Sequence, residues 1–194
     1  MYRFDGAEYA IRRATCGGTI CDPYWCDTYN GGRGKELFWW FEMEVECADP
    51  YEPAPSVNFD GVFIECSNWV QLVGKSVEWS SAIEASRETR YGWTTTYDCS
   101  MVVRGRLQIV ERNSCVLRVI AQGEDEWENA FEIDANYRFE GIDVRGTERD
   151  DDASFRERLS QFLSLDHLAQ QPIEQRGRYE SGVQMAECRF LPIA

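Results

Sequence analysis

Positively charged residues are scarce in this sequence, and nearly all of them are arginine. The 194 residues include 20 Lys and Arg against 34 Asp and Glu, which gives a formal net charge of −14. Lys35 and Lys75 are the only lysines. A nucleic-acid partner needs clustered cations to neutralise its phosphates, and a surface with this charge repels a polyanion. We therefore expect no nucleic-acid partner.

Long apolar runs and secretion signals are also missing. The longest uninterrupted apolar run is 37–41, whereas a membrane-spanning helix needs about 20 such residues. The segment from Met1 to Asp5 lacks the basic and then apolar pattern of a secretory signal, and no asparagine lies in an Asn-x-Ser/Thr acceptor. These absences favour a cytoplasmic protein with no membrane partner. In that compartment the eight cysteines are expected to be thiols.

Patterns typical of catalysis are few. His167 is the only histidine, so a Ser-His-Asp or Cys-His site would have to use it. Segment 30–35 (Asn-Gly-Gly-Arg-Gly-Lys) lacks the flanking Gly and Ser or Thr of a phosphate-binding loop, and this favours a turn. The acidic runs 124–128 and 150–152 are typical of solvated turns or helix caps. The sequence predicts no cofactor and favours a protein that is not an enzyme.

The most frequent pattern in the sequence is an alternation of apolar and polar residues. In segment 37–47 the odd-numbered residues are all apolar, whereas the even-numbered ones change from aromatic to acidic. This period of two predicts a strand with one buried face. A hairpin is predicted around Asp5 and Gly6. Further strands are predicted at 61–66, 76–79, 101–110, 115–121, 127–133, 137–144 and 178–191, while 81–90 fits either a helix or a strand.

One helix is predicted near the C-terminus. Three aspartates at 150–152 precede apolar residues at helical spacing, namely Phe155, Leu159, Phe162 and Leu163. Aspartates at this position accept hydrogen bonds from the free amides and face the positive end of the helix dipole. We expect the helix to run to about Ala169. With no linker or repeat, the sequence predicts one α+β domain over 1–194: a mostly antiparallel meander, sandwich or open barrel.

Three cysteines recur every five residues, at Cys16, Cys21 and Cys26. Zinc sites use Cys pairs separated by two to four residues, and a fourth ligand is not evident nearby. Buried structural thiols are therefore the main interpretation, with no metal expected. Metal binding and redox chemistry stay open as alternatives.

Segment 21–35 is the most unusual loop. Apolar faces beside a few convergent polar groups are what a small-ligand pocket requires. The alternative is that its aromatic residues simply cap the core. The predicted ligand-binding residues are Asp22, Tyr24, Trp25, Asp27, Tyr29 and Asn30.

These observations leave three functional hypotheses. The first is a non-catalytic module that binds a basic protein through an acidic, aromatic sheet face, formed by Phe38, Trp40, Glu42, Glu44 and Glu46. In size and charge the chain is similar to bacterial inhibitor or immunity proteins that neutralise basic toxins, although no motif carries that likeness. The second is a small-molecule or sugar-binding β protein that uses loop 21–35. The third is a hydrolase with two carboxylates across a cleft.

Overall fold

The computed structural model describes residues 1–29, 35–46, 54–80, 93–95 and 99–193. These residues form α1 (Pro23–Tyr29), α2 (Asp152–Ser160), a 3-10 helix (Trp69–Leu72) and thirteen strands. The strands are β1 (Tyr2–Phe4), β2 (Ala7–Tyr9), β3 (Ile11–Ile20), β4 (Leu37–Val45), β5 (Ser56–Val62), β6 (Ser76–Ser80), β7 (Trp93–Thr95), β8 (Cys99–Asn113), β9 (Val116–Asp125), β10 (Ala130–Thr147), β11 (Leu168–Gln170), β12 (Glu174–Arg178) and β13 (Gln184–Pro192).

All the strands belong to one mixed, mainly antiparallel sheet that curls into a half-barrel. The strand order is β11-β13-β10-β3-β4-β5-β7-β8-β6, and β9 pairs with both β8 and β10. The pairing of β3 with β10 is parallel. This confirms the predicted fold class, with α2 as the main helix near the C-terminus. Among the described helices, none has the length and apolar character required to cross a membrane.

Strand β10 connects the two halves of the sheet. It pairs with β1 and β9 along its first half and with β3 and β13 along its second half. The predicted separation of strands 127–133 and 137–144 is wrong, because residues 134–136 continue β10 and keep its alternation of buried and more exposed side chains. The Asp134 carboxylate accepts two hydrogen bonds of 2.8 Å from Arg118 on β9. The inward-facing residues on either side are all buried: Phe131, Ile133, Ala135, Tyr137 and Phe139.

Aromatic side chains fill the inner side of the curled sheet. Phe139 stacks on Trp69 of the 3-10 helix with ring centroids 4.4 Å apart. It also lies 6.2 Å from the Trp39 ring of β4. Phe155 and Leu159 of α2 are fully buried against the same core. These two residues, whose helical spacing contributed to the prediction of α2, therefore anchor the helix to the core.

The start of α2 was predicted correctly and its end was not. The Asp151 carboxylate accepts a hydrogen bond of 2.9 Å from the Ser154 backbone N–H, which caps the helix. The helix ends at Ser160 rather than near Ala169. The Ser164 N–H donates to the carbonyl of Ser67 (2.7 Å), so the chain leaves the helix and then forms β11 beside β13. His167 lies outside the helix and is exposed.

Several other boundaries differ from the predictions. Strand β5 lies at Ser56–Val62 rather than at 61–66. The predicted final strand is two strands, separated by a turn in which Gly182 has a positive φ of 84°. The N-terminal hairpin is confirmed, with positive φ at Asp5 and Gly6. The prediction for 81–90 falls outside the described residues, and so does the predicted turn at 30–35 except for Lys35.

Phe139→Ala should lower the free energy of unfolding by about 3–5 kcal/mol, because it removes the ring between Trp39 and Trp69. Ile120→Ala is the control, because this β9 side chain is 38% exposed. We expect the control to cost about 1 kcal/mol or less. Urea unfolding of both variants measures the difference, and equal losses would contradict the assignment of Phe139 to the core.

Candidate functional site: a ligand cleft and an outer sheet face

A cleft of about 320 Å³ opens between α1, the end of β10 and the hairpin of β12 and β13. This volume lies within the range of small-molecule sites. Three separate parts of the chain supply its walls. They are Cys21, Asp22 and Trp25 around the start of α1, Arg145 and Gly146 on β10, and Arg176, Tyr179, Met185, Ala186 and Glu187 on the hairpin.

The start of α1 is positioned by Asp22. Its carboxylate accepts a hydrogen bond of 2.7 Å from the Tyr24 backbone N–H, and its carbonyl accepts one of 2.9 Å from Cys26. Pro23 follows as the first helical residue, where its missing N–H costs no hydrogen bond. An Asp-Pro pair is a sequence signal for a helix start, so the prediction of an irregular loop over 21–35 is wrong at Pro23–Tyr29.

A hydrogen bond between Tyr179 and Asp22 fixes the two sides of the cleft relative to each other. The Tyr179 hydroxyl donates to Asp22 Oδ2 at 2.8 Å, and the Asp22 residue is only 2% exposed. The Tyr179 ring also lies 5.4 Å from the Tyr24 ring. Burial raises the pKa of the Tyr179 hydroxyl, and the hydrogen bond to the Asp22 carboxylate raises it further.

The two arginines in the cleft are engaged very differently. Arg176 lies 2.7 Å from Glu187 and 3.0 Å from Glu174, so it is held by two carboxylates. Arg145 faces Glu187 across β10 and β13, but the distance from its Nε to Glu187 Oε2 is 3.8 Å. The Arg145 side chain is 56% exposed. Within the described part of the chain its guanidinium donates no hydrogen bond.

The predicted ligand-binding residues are only partly brought together. Asp22 and Trp25 line the cleft, and Trp25 is 36% exposed. Tyr24 lies behind the wall against Tyr179. Asp27 does not line the cleft and instead forms an ion pair of 2.6 Å with Lys35. Tyr29 is the last residue of α1, and the prediction for Asn30 falls outside the described residues.

The sequence analysis missed the hairpin side of the cleft. Arg145, Arg176, Tyr179, Met185 and Glu187 lie more than 110 residues after α1, and no local pattern joins them to it. One signal was available. The turn residues Glu-Ser-Gly at 180–182 interrupt the predicted strand at 178–191 and are typical of a hairpin.

Four of the predicted protein-binding residues lie on the outer side of β4, and the fifth, Glu46, directly follows its last residue; we call these five residues the β4 outer face. Phe38 and Trp40 are half-buried, whereas Glu42, Glu44 and Glu46 are exposed. The Trp40 indole lies directly over Gly17 of β3, where any side chain would collide with it. Trp40 therefore covers the backbone of its neighbour as well as presenting an aromatic surface.

A cation on β3 neutralises part of this face. Arg13 pairs in register with Glu44, and its Nη1 lies 3.8 Å from the Glu44 carboxylate. Its Nη2 donates to Glu140 at 2.7 Å. The sequence of β4 alone contains no cation, so only the strand register reveals this pairing.

The three regularly spaced cysteines do not gather at one point. Cys16 and Cys26 are buried, whereas Cys21 is half-buried and lines the cleft. Burial raises the pKa of all three thiols, that of Cys26 to about 11, which keeps them protonated at neutral pH. Across the described residues, no group of three or more His, Cys, Asp and Glu side chains is arranged to hold a metal ion.

Two carboxylates line the cleft, and each already has a partner. Asp22 accepts from Tyr24 and Tyr179, and Glu187 is paired with Arg176. The hydrolase hypothesis therefore gains no support from this pair.

Comparison with known proteins adds nothing further, since no family model, curated protein or solved structure matches the chain.

Tyr179→Phe should lower the free energy of unfolding by about 1–3 kcal/mol, because it leaves a buried oxygen of Asp22 without its hydroxyl donor. Tyr9→Phe is a matched control, since Tyr9 is half-buried and its hydroxyl makes no hydrogen bond to another described residue. The control should change stability by less than about 0.5 kcal/mol. Urea unfolding at pH 7 distinguishes the two variants, and equal effects would contradict the bridging role of Tyr179.

The same variant should alter the pH dependence of stability. The pKa of Tyr179 is higher in the folded protein than its unfolded value of about 10, so the folded state holds this proton more tightly. The stabilisation that comes from the raised pKa of Tyr179 is fully present below about pH 10 and declines as the pH rises toward the folded pKa. Above pH 10, Tyr179→Phe should lose stability less steeply than the wild type. An identical slope would contradict the raised pKa.

Proposed function

We propose that this protein binds a small molecule in the cleft between α1 and the β12–β13 hairpin. The observation that carries the proposal is a concave site in which the partly exposed Trp25 ring meets several polar groups. Such a combination of apolar surface and few converging polar side chains is typical of small-molecule sites. The polar groups are Asp22, Arg145, Arg176, Tyr179 and Glu187.

The internal contacts of the cleft support binding without large rearrangement. Tyr179 is fixed by Asp22, and Arg176 is fixed by Glu187 and Glu174. Side chains that are already ordered lose little conformational entropy when a ligand arrives. A ligand would therefore meet a largely preformed site.

Trp25→Ala tests this proposal, because it removes the aromatic wall. Ligand-observed NMR with a library of small aromatic fragments should identify binders, whose affinity falls by about tenfold or more in the variant. Trp127→Ala is the control, since Trp127 is 72% exposed and does not line the cleft. Binders that ignore both substitutions, or no binders at all, would contradict the proposal.

We also keep a second candidate, the binding of a basic protein to the β4 outer face. It is favoured by the two half-buried aromatic residues, Phe38 and Trp40, beside the exposed Glu42 and Glu44. The formal net charge of −14 would steer a basic partner toward the protein. Because Arg13 pairs with Glu44, Glu42 and Glu46 are the carboxylates of this face that form no ion pair with a described residue.

The double variant Glu42→Gln/Glu44→Gln tests this second candidate. A partner identified by pull-down and mass spectrometry should bind roughly tenfold more weakly to it, and raised salt should weaken wild-type binding as well. The exposed pair Glu157→Gln/Glu180→Gln changes the net charge equally and lies away from the face. Equal weakening by both double variants would contradict a specific role for the β4 outer face.

We place either function in the cytoplasm. Cys16, Cys21, Cys26, Cys66, Cys115 and Cys188 are free thiols, which suits a reducing compartment. The proposed binding involves no reaction and no cofactor.

A further inference from the structure

Arg145 differs from six other described arginines of this acidic protein, because its guanidinium donates no hydrogen bond to a carboxylate of the described residues. Six arginines donate a hydrogen bond to a carboxylate, and their guanidinium groups are therefore engaged: Arg13, Arg104, Arg118, Arg158, Arg176 and Arg189. Arg145 lines the cleft, is 56% exposed and has only a loose contact of 3.8 Å with Glu187. Because no described residue accepts a hydrogen bond from this guanidinium, its five N–H donors are available to a ligand.

The acidic groups of the cleft are, by contrast, already used. Both oxygens of Asp22 accept hydrogen bonds from the protein, and the residue is nearly inaccessible. Arg176 lies 2.7 Å from Glu187 and neutralises it. The Arg145 guanidinium, a cation, is therefore the charged group of the cleft that makes no hydrogen bond with a described residue.

A planar guanidinium pairs best with a planar oxyanion that accepts two parallel hydrogen bonds, as a carboxylate does. Trp25 supplies a flat apolar surface in the same cleft, and Met185 supplies a polarisable, adaptable one. We propose that the cleft recognises a small planar organic acid, whose carboxylate binds Arg145 and whose flat apolar body lies against Trp25. This inference rests on the proposed function and names its ligand class.

Isothermal titration calorimetry with three indole probes tests it. Indole-3-acetate carries a carboxylate, indole-3-acetamide is its neutral analogue, and tryptamine is a cation. Indole-3-acetate should bind at least about tenfold more tightly than the amide, because hydrogen bonds to charged groups contribute more than neutral ones. Tryptamine should bind most weakly.

Arg145→Gln should abolish the preference for the acid over the amide, and Arg145→Lys should retain only part of it, since lysine keeps the charge but loses the fork. Arg138→Gln is the matched control, because Arg138 is exposed on the same strand but does not line the cleft. It should keep the full preference. Melting temperatures establish that each variant is folded, and if Arg145→Gln does not fold, the wild-type preference and Arg145→Lys decide.

The outcomes separate this inference from the proposed function. If the amide and the acid bind equally, and binding depends on Trp25 but not on Arg145, the cleft is a ligand site and the organic-acid inference is wrong. Tighter binding of tryptamine also overturns the inference. If none of the three probes binds, both the inference and the proposed function are overturned for ligands of this size and shape.

Discussion

The alternation of buried and exposed residues in β10, which changes phase at the irregularity between Phe139 and Ile142, is the constraint on which the rest of the structure depends. Its inward residues build the centre of the core, and its two edges pair with four strands, β1, β3, β9 and β13. In the regular part of the strand, from Ala130 to Phe139, a shift by one residue would turn every buried side chain outward. The register of β10 is therefore fixed by burial, and the positions of its neighbours follow from it.

The cleft is a consequence of that register. Val144 pairs with Ile20 at the end of β3, which brings the following residues and α1 to the end of β10. On the other edge Arg145 pairs with Glu187, which places the β12–β13 hairpin opposite α1. The hydrogen bond from Tyr179 to Asp22 then connects the two sides. Residues far apart in sequence thus form one concave site.

Electrostatic pairing explains why the cleft and the β4 outer face differ in the charge that they offer to a ligand or partner. Most arginines of the described residues form cross-strand pairs with carboxylates, and such exposed pairs contribute little to stability. These pairs do determine which charged side chains remain available to a ligand or partner. Arg13 reduces the negative charge of the β4 outer face, whereas the distance of Arg145 from Glu187 leaves a cation in the cleft. The organic-acid inference depends on this difference.

Prediction from sequence succeeded where a signal was local. The alternation in β4, the cap at Asp151 and the hairpin at Asp5 and Gly6 all depend on neighbouring residues, and the structure confirms them. The predicted break between strands 127–133 and 137–144 was wrong, because the polar residues Asp134 and Asn136 on the outer side of a strand have the composition of a turn. The composition of segment 21–35 indicated the α1 side of the cleft. The other half could not be predicted, because pairing between distant strands brings it there.

The most direct test of the account is a titration of ¹⁵N-labelled protein with indole-3-acetate, followed by NMR at the side-chain N–H groups of arginine and tryptophan. The account predicts saturable shifts at Arg145 Nε and at the Trp25 indole N–H, with little change at Trp40 and Trp127. Shifts confined to Trp40, or to groups outside the cleft, would contradict it.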